Sequence, residues 1–290
     1  MIYTIKSDLL TVKVNDYGAE LVSVVGADGY EYLWNAEKHW FHHAPVLFPA
    51  CGRIVNDTYT LGGKEYHMGI HGFAPKSEFK LLEKTDSSLT IYIEATDETR
   101  AAYPFEFRFT ACFEVSENTL NVTFTVQNKS NSVMPYMVGW HPGFTLDHAC
   151  GAKIPDYSLK FNTDKELISY PITPACFVSH EGVVHPAKNG TYYLDEKEIY
   201  DNDSVLFSGT GERCIMSAVG EKHSLDFSWS ENLPYFCIWK APTSEAMFVC
   251  LEPWSDLPGD GRAENFDEKE MSRLAPGCSE AYRYTAKFNS

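Results

Sequence analysis

The chain has 290 residues, of which 44% are hydrophobic and 22% charged, the composition of a folded globular protein and not of a disordered or fibrous one. Forty acidic against 24 basic residues leave a net charge of −16, so the basic face that nucleic acid or an anionic membrane requires is missing and a small neutral ligand is the partner left open. A chain of this length can bury a core without disulfide or metal staples, and it reads as one domain over 1–290.

The first eight residues lack a basic stretch followed by an apolar run, so no signal peptide is expected, and nothing approaches the roughly 18 apolar residues of a membrane span. Strand-like runs follow at 10–14, 20–25 and 30–34, with Ala27-Asp28-Gly29 as a turn signal. Leu61-Gly62-Gly63-Lys64 has hairpin chemistry, and further runs cover 78–83 and 89–94. The strongest pattern begins at Phe105, where Phe105, Phe107, Phe109, Ala111, Phe113 and Val115 alternate with polar residues. After Ser116-Glu117-Asn118, the alternation resumes with Leu120, Val122, Phe124 and Val126, which predicts a hairpin. Residues 147–202 are the least regular and are expected to hold long loops. More strands are predicted at 224–229, 236–240, 247–251 and 281–288. Residues 264–274, closed by Pro276-Gly277, carry the best helical pattern in a chain that otherwise shows almost none. Many short strands without intervening helices predict an all-β sandwich or barrel. The eight cysteines are scattered without a CxxC pair and read as free thiols of a reducing cytoplasm.

Three segments interrupt the strand pattern with polar residues among glycine, proline and aromatic ones. In Met68–Ala74, Gly69 and Gly72 bracket His71, which requires either a sharp turn or a close approach of another group. His71 is then a functional imidazole or a loop histidine bonded to a carbonyl. In Gly139-Trp140-His141-Pro142-Gly143-Phe144, Pro142 holds His141 extended at a strand end, where it can exchange a proton near neutral pH or simply pack under Trp140. In Phe248–Trp254, Glu252 closes an apolar strand before Pro253-Trp254. Desolvation there would make it a stronger base, unless it pairs with a buried arginine such as Arg53. His39, His42 and His43 have no acidic or cysteine cluster at ligand spacing beside them, so no metal is expected. No Walker, dinucleotide-binding or nucleophile-elbow motif is present.

Taken in order, Gly52-Arg53, His71-Gly72-Phe73-Ala74, His141-Pro142-Gly143-Phe144 and Leu251-Glu252-Pro253-Trp254 resemble the motifs of the aldose 1-epimerase (galactose mutarotase) family. The likeness is greatest to its shorter bacterial LacX-like subgroup and spans almost the whole chain. It implies a large antiparallel β-supersandwich with an open sugar cleft and no cofactor, acting on the anomers of a free aldose. It further implies Glu252 as general base on the C1 hydroxyl, His141 as the acid at the ring oxygen, His71 as a hydrogen-bonding assistant and Arg53 as a holder of sugar hydroxyls. Asp203 is the nearest counterpart of the family's substrate-binding aspartate, with Ser204 where a histidine is common. Gly139-Trp140 before His141 also departs from the pattern of many galactose mutarotases. Three other readings stand beside this one: a sugar-binding protein without catalysis, a mutarotase of hexose phosphates, and a glycoside hydrolase using Asp226 or Asp256 as a second carboxylate.

Overall fold

The computed structural model describes residues 1–146, 151–173, 175–187, 189–243 and 245–290, so Cys150 and the opening of the 147–202 stretch lie outside the described residues. The alternation around Phe109 forms the spine of a nine-stranded sheet. Phe107–Ser116 and Thr119–Asn128 pair antiparallel from Ser116↔Thr119 to Phe107↔Asn128, around a tight turn in which Glu117 has φ +50°. Their apolar positions are buried, and the residues between them are at least partly exposed, except Asn128. Ser279–Asn289 lies against the second strand, and Ser224–Trp229, Arg213–Ala218, Tyr157–Phe161 and Thr191–Tyr193 extend the sheet from there. Ser88–Glu94 and Lys80–Lys84 extend it the other way.

A second sheet runs in the order Val183–Val184, Ile168–Tyr170, Ser204–Ser208, Tyr235–Trp239, Phe248–Trp254, Gly139–Trp140, Val46–Leu47, with Gly143–Thr145 also pairing with Phe248–Trp254. Aromatic rings from the two sheets meet between them. Trp140 contacts Phe124 and Tyr284, and Phe236 contacts Phe161 and Trp229. Burying rings of this size supplies a large share of the hydrophobic stabilisation of a sandwich, at roughly 25 cal/mol per Å² removed from water. Every residue of Phe248–Trp254 is buried, which explains why its sequence is a continuous apolar run and not an alternation. Val249 and Leu251 join the large core, while Phe248 and Cys250 belong to a smaller cluster with Ala241 and Ala246.

Gly62 and Gly63 form the expected hairpin turn, both at positive φ, between Thr58–Leu61 and Lys64–His67. The helix expected at 264–274 does not form. Glu264–Asn265 pairs parallel with Thr58–Leu61, Ser272–Leu274 pairs with Met134–Tyr136, and a single turn joins them. Side chains take over the capping there: the Glu264 carboxylate meets Lys269 at 2.9 Å, and Arg273 donates to the carbonyls of Phe266, Asp267 and Lys269. Residues 30–34 contribute only isolated bridges, Val25↔Glu31 and Leu33↔Phe144. The two α-helices among the described residues, Asp97–Ala102 and Lys197–Asn202, have six residues each, too few to leave a helical period in the sequence. No helix among the described residues is long and apolar enough to cross a membrane. All seven described cysteines are free thiols.

Candidate active site

Pro142 has no N–H to give to a ladder, and the chain alongside Phe248–Trp254 accordingly breaks into two short strands around it. Gly139 pairs with Trp254 and Gly143 with Cys250, which leaves His141 opposite Glu252. The His141 N–H is taken by the carbonyl of Pro45 at 3.0 Å, and the Pro142 carbonyl accepts from Leu251 N–H at 3.2 Å. His141 Nε2 then stands 3.2 Å from Glu252 Oε1. The alternative partner for Glu252, Arg53, does not reach it.

His71 arrives from a separate loop. It has φ +63° and is followed by Gly72 at φ +75°, where a Cβ would come within 2.3 Å of the Phe48 carbonyl oxygen. A left-handed histidine is strained unless its surroundings hold it. Gly52 does so: its carbonyl accepts from His71 N–H at 2.9 Å, and its own N–H donates to His71 Nδ1 at 3.1 Å. This fixes Nδ1 as an acceptor and leaves the proton of the neutral ring on Nε2. Burial, helped by the charge of Arg53, lowers the His71 pKa to about 3, so the ring stays neutral. It lies edge-on to His141, with ring centres 5.4 Å apart.

The pair itself sits in an apolar setting. Trp40 stacks on His141 at 5.1 Å and on Phe248 at 5.4 Å, and Trp239 flanks His141 at 5.7 Å. Glu252 is 1% exposed and His141 8%. Neither oxygen of Glu252, nor Nδ1 of His141, has a hydrogen-bond partner. Burial pushes the Glu252 carboxyl well above its ordinary range. Burial, and then the neighbouring His71, hold His141 well below the usual histidine range. Both effects favour uncharged groups, so the pair keeps one proton between a carboxyl and an imidazole.

Glu20 anchors the loop that carries Trp40. Its Oε1 accepts from His43 N–H at 2.7 Å and Ala44 N–H at 3.3 Å, with the rings of His42 and His43 at 3.6 and 3.8 Å. Burial alone would raise the Glu20 pKa, but the bonds to His42 and His43 outweigh it and bring it down to about 2. His42 and His43 are thus partners of a carboxylate. Trp34 completes the anchorage by donating its indole N–H to the Trp40 carbonyl at 2.8 Å.

Arg53 follows directly on Gly52 and lines a cavity of about 430 Å³ with Ile54, Asp57, Cys176 and Phe177; its buried Nε has no partner. Asp203 is more distant. It ends the helix Lys197–Asn202 in a left-handed conformation, two strands away from Glu252 in the sheet, and Lys240 Nζ lies 3.7 Å from its carboxylate. The structure therefore brings Glu252, His141 and His71 together, attaches Arg53 through Gly52, and leaves Asp203 in the company of Lys240. Asp226 is bound by Arg213 at the surface, and Asp256 accepts from Ser255 and Ser272, so neither faces Glu252 as a second carboxylate. Trp40, Trp239 and Cys250 escape the sequence reading as site residues because isolated apolar side chains in loops and buried strands look like core.

The profile of the family described as aldose 1-epimerase matches residues 1–272. The plasmid-encoded protein LacX of Lactococcus lactis subsp. lactis is 30% identical over 95% of each chain. A galactose mutarotase related enzyme from Lactobacillus acidophilus is 30% identical, with a TM-score of 0.92 over 100% of this chain and 98% of that one. A galactose mutarotase-like protein from Lactobacillus casei ATCC 334 is 28% identical, with a TM-score of 0.93 over 100% of both chains.

Proposed function

We propose that this chain, which belongs to the aldose 1-epimerase family, interconverts the α and β anomers of a free aldose by acid–base ring opening at Glu252 and His141. The observation that carries this reading is a buried glutamate whose oxygens accept no hydrogen bond, with Oε1 3.2 Å from an imidazole nitrogen, at the edge of an aromatic floor. Buried polar atoms without partners are rare, and hydroxyl groups of a sugar supply what these lack.

Ring opening requires the C1 hydroxyl to lose a proton while the ring oxygen gains one. Glu252 takes the first proton and His141 supplies the second as the C1–O5 bond breaks and C1 becomes a carbonyl. The charged pair, carboxylate and imidazolium, is thereby converted into carboxyl and neutral imidazole, the state that burial favours. Rotation about C1–C2 and reversal of both transfers close the ring on the other face. The pair holds one proton throughout, so no proton need enter or leave the cleft during turnover. Each positioned acid or base contributes on the order of 10²–10⁴-fold. His71, neutral and with its proton on Nε2, donates a hydrogen bond at the ring oxygen. The Arg53 guanidinium holds hydroxyls on the same side, and Trp40 and Trp239 offer faces to the apolar surface of the sugar. Asp203, with Lys240, is assigned to the distal hydroxyls. Free thiols throughout the described chain fit a reducing compartment.

The test is polarimetry or NMR on freshly dissolved α-anomers of glucose, galactose, xylose and a hexose 6-phosphate. Acceleration with at least one free sugar is expected. Binding of these sugars without any acceleration would replace the enzyme by a sugar-binding protein, and acceleration confined to the phosphate would move the substrate class.

A further inference from the structure

Glu252 and Cys250 are alternate residues of one strand and so share a face, and His141 lies next to them on the neighbouring strand. A nitrogen of His141, the sulfur of Cys250 and a carboxylate oxygen of Glu252 all lie within 4.8 Å of one another, and all three residues are buried. Spacing along the sequence conceals this group, because the histidine comes from a different strand. We infer that this corner of the site also binds a divalent cation of the zinc type, with one imidazole, one thiolate and one carboxylate as ligands, and that the bound ion silences the acid–base pair.

Three physical points support the inference. A tetrahedral ion with bonds of about 2.0–2.1 Å to nitrogen and oxygen needs those atoms roughly 3.3 Å apart, and His141 Nε2 and Glu252 Oε1 are at 3.2 Å. The Cys250 sulfur lies within 4.8 Å of both atoms, and binding would draw it to about 3.5 Å. Charge also balances: a thiolate and a carboxylate cancel a divalent ion, so the loaded site is neutral in surroundings that tolerate no net charge. Finally, the donor set is selective. A thiolate with an imidazole suits zinc, cadmium or cobalt and not magnesium or calcium, and three protein ligands leave a fourth position for water.

Binding forms one bond each to Sγ, Nε2 and a Glu252 oxygen. It releases two protons to the buffer, one from the thiol and the one shared by the pair; nothing is oxidised or reduced. Nδ1 of His141 has no partner to fix the ring, and second-shell partners of this kind are worth about 10–100-fold in affinity. The ion is therefore a reversible occupant and not a structural staple. Loss of turnover on binding rests on the acid–base reading above, whereas the binding itself does not.

Metal-free full-length protein is titrated with Cd²⁺, and the ultraviolet charge-transfer band of a cadmium–thiolate bond is followed. One ion per chain is expected. The band should vanish in Cys250→Ser and should need at least about tenfold more Cd²⁺ in Glu252→Gln and in His141→Asn. It should be unchanged in a Cys176→Ser, Cys278→Ser double variant, which removes the two exposed thiols. Zn²⁺ should then inhibit mutarotation in competition with sugar. Circular dichroism identifies any variant that fails to fold, in which case the two remaining ligand variants decide. A band that survives in folded Cys250→Ser, or that depends on the exposed thiols, overturns the metal site. Absence of a band in wild type overturns it too and leaves the acid–base reading standing. A 1:1 band in a protein that never accelerates mutarotation does the reverse.

Discussion

The hairpin Phe107–Asn128 and the strand Phe248–Trp254 are both β-structure, yet they solve opposite problems. The hairpin presents one face to the core and one to solvent, and its polar residues, Asn128 excepted, stand at least partly in solvent. Phe248–Trp254 is buried on both faces, with the large core on one side and a smaller cluster packed by Trp34, Trp40 and Trp239 on the other, and it still contains a glutamate. A carboxyl kept there without hydrogen bonds is a cost to folding. Stability and activity should therefore separate cleanly between the two regions.

The widest separation is expected from Glu252→Gln. Turnover should fall by about 10²–10⁴-fold, while the melting temperature stays level or rises because a buried ionisable group has been removed. A parallel loss of stability and activity would make Glu252 a structural residue. Phe109→Ala is the opposite case. It should cost about 3–5 kcal/mol of unfolding free energy, measured by denaturant titration, with turnover per folded molecule unchanged. A changed turnover in the folded variant would show that hairpin packing reaches the cleft.

Glu20→Gln should have the smallest effect, and it sharpens the comparison by touching the floor and not the pair. The folded-state pKa of Glu20 is lowered to about 2 from 4.5, so its paired carboxylate stabilises the fold above pH 4.5, and this contribution is lost as pH falls towards 2. The amount is roughly 1–3 kcal/mol. Wild type should lose that stability through this acid window in thermal melts, and Glu20→Gln should lack it throughout. Tryptophan fluorescence would report loosening of Trp40. Identical acid melts for the two proteins would mean that the loop is held by something other than Glu20.

The same contrast explains what can be read in the sequence. Phe107, Phe109 and Phe113 announce their strand because alternation records the boundary between core and water. Phe248–Trp254 has no such boundary, and Glu252 stands out there only as a polar residue in an apolar run. His141 is legible through Pro142, and His71 through its neighbouring glycines, because backbone constraint leaves a local signature. Trp40 and Cys250 leave none, since nothing in the residues around them shows that distant segments meet at His141. Residues 264–274 mislead for a related reason: the pull of Glu264 on Lys269 and the three carbonyl bonds of Arg273 depend on the folded chain and override the local helical pattern.

The most direct test of the acid–base pair is the pH profile of kcat/KM for mutarotation. In the proposed mechanism the active form holds one proton between Glu252 and His141, so the limbs would belong to the pair and not to either residue. Since burial lowers the His141 pKa below 6.5 and raises that of Glu252 well above 4.5, activity should fall in acid below the usual histidine value, as a second proton arrives. It should fall again in alkali, well above the usual carboxylate value, as the last proton leaves. A bell of this kind, lost in Glu252→Gln, is the predicted result. Activity that stays flat across roughly pH 4 to 9, or a bell that survives in Glu252→Gln, would contradict the account.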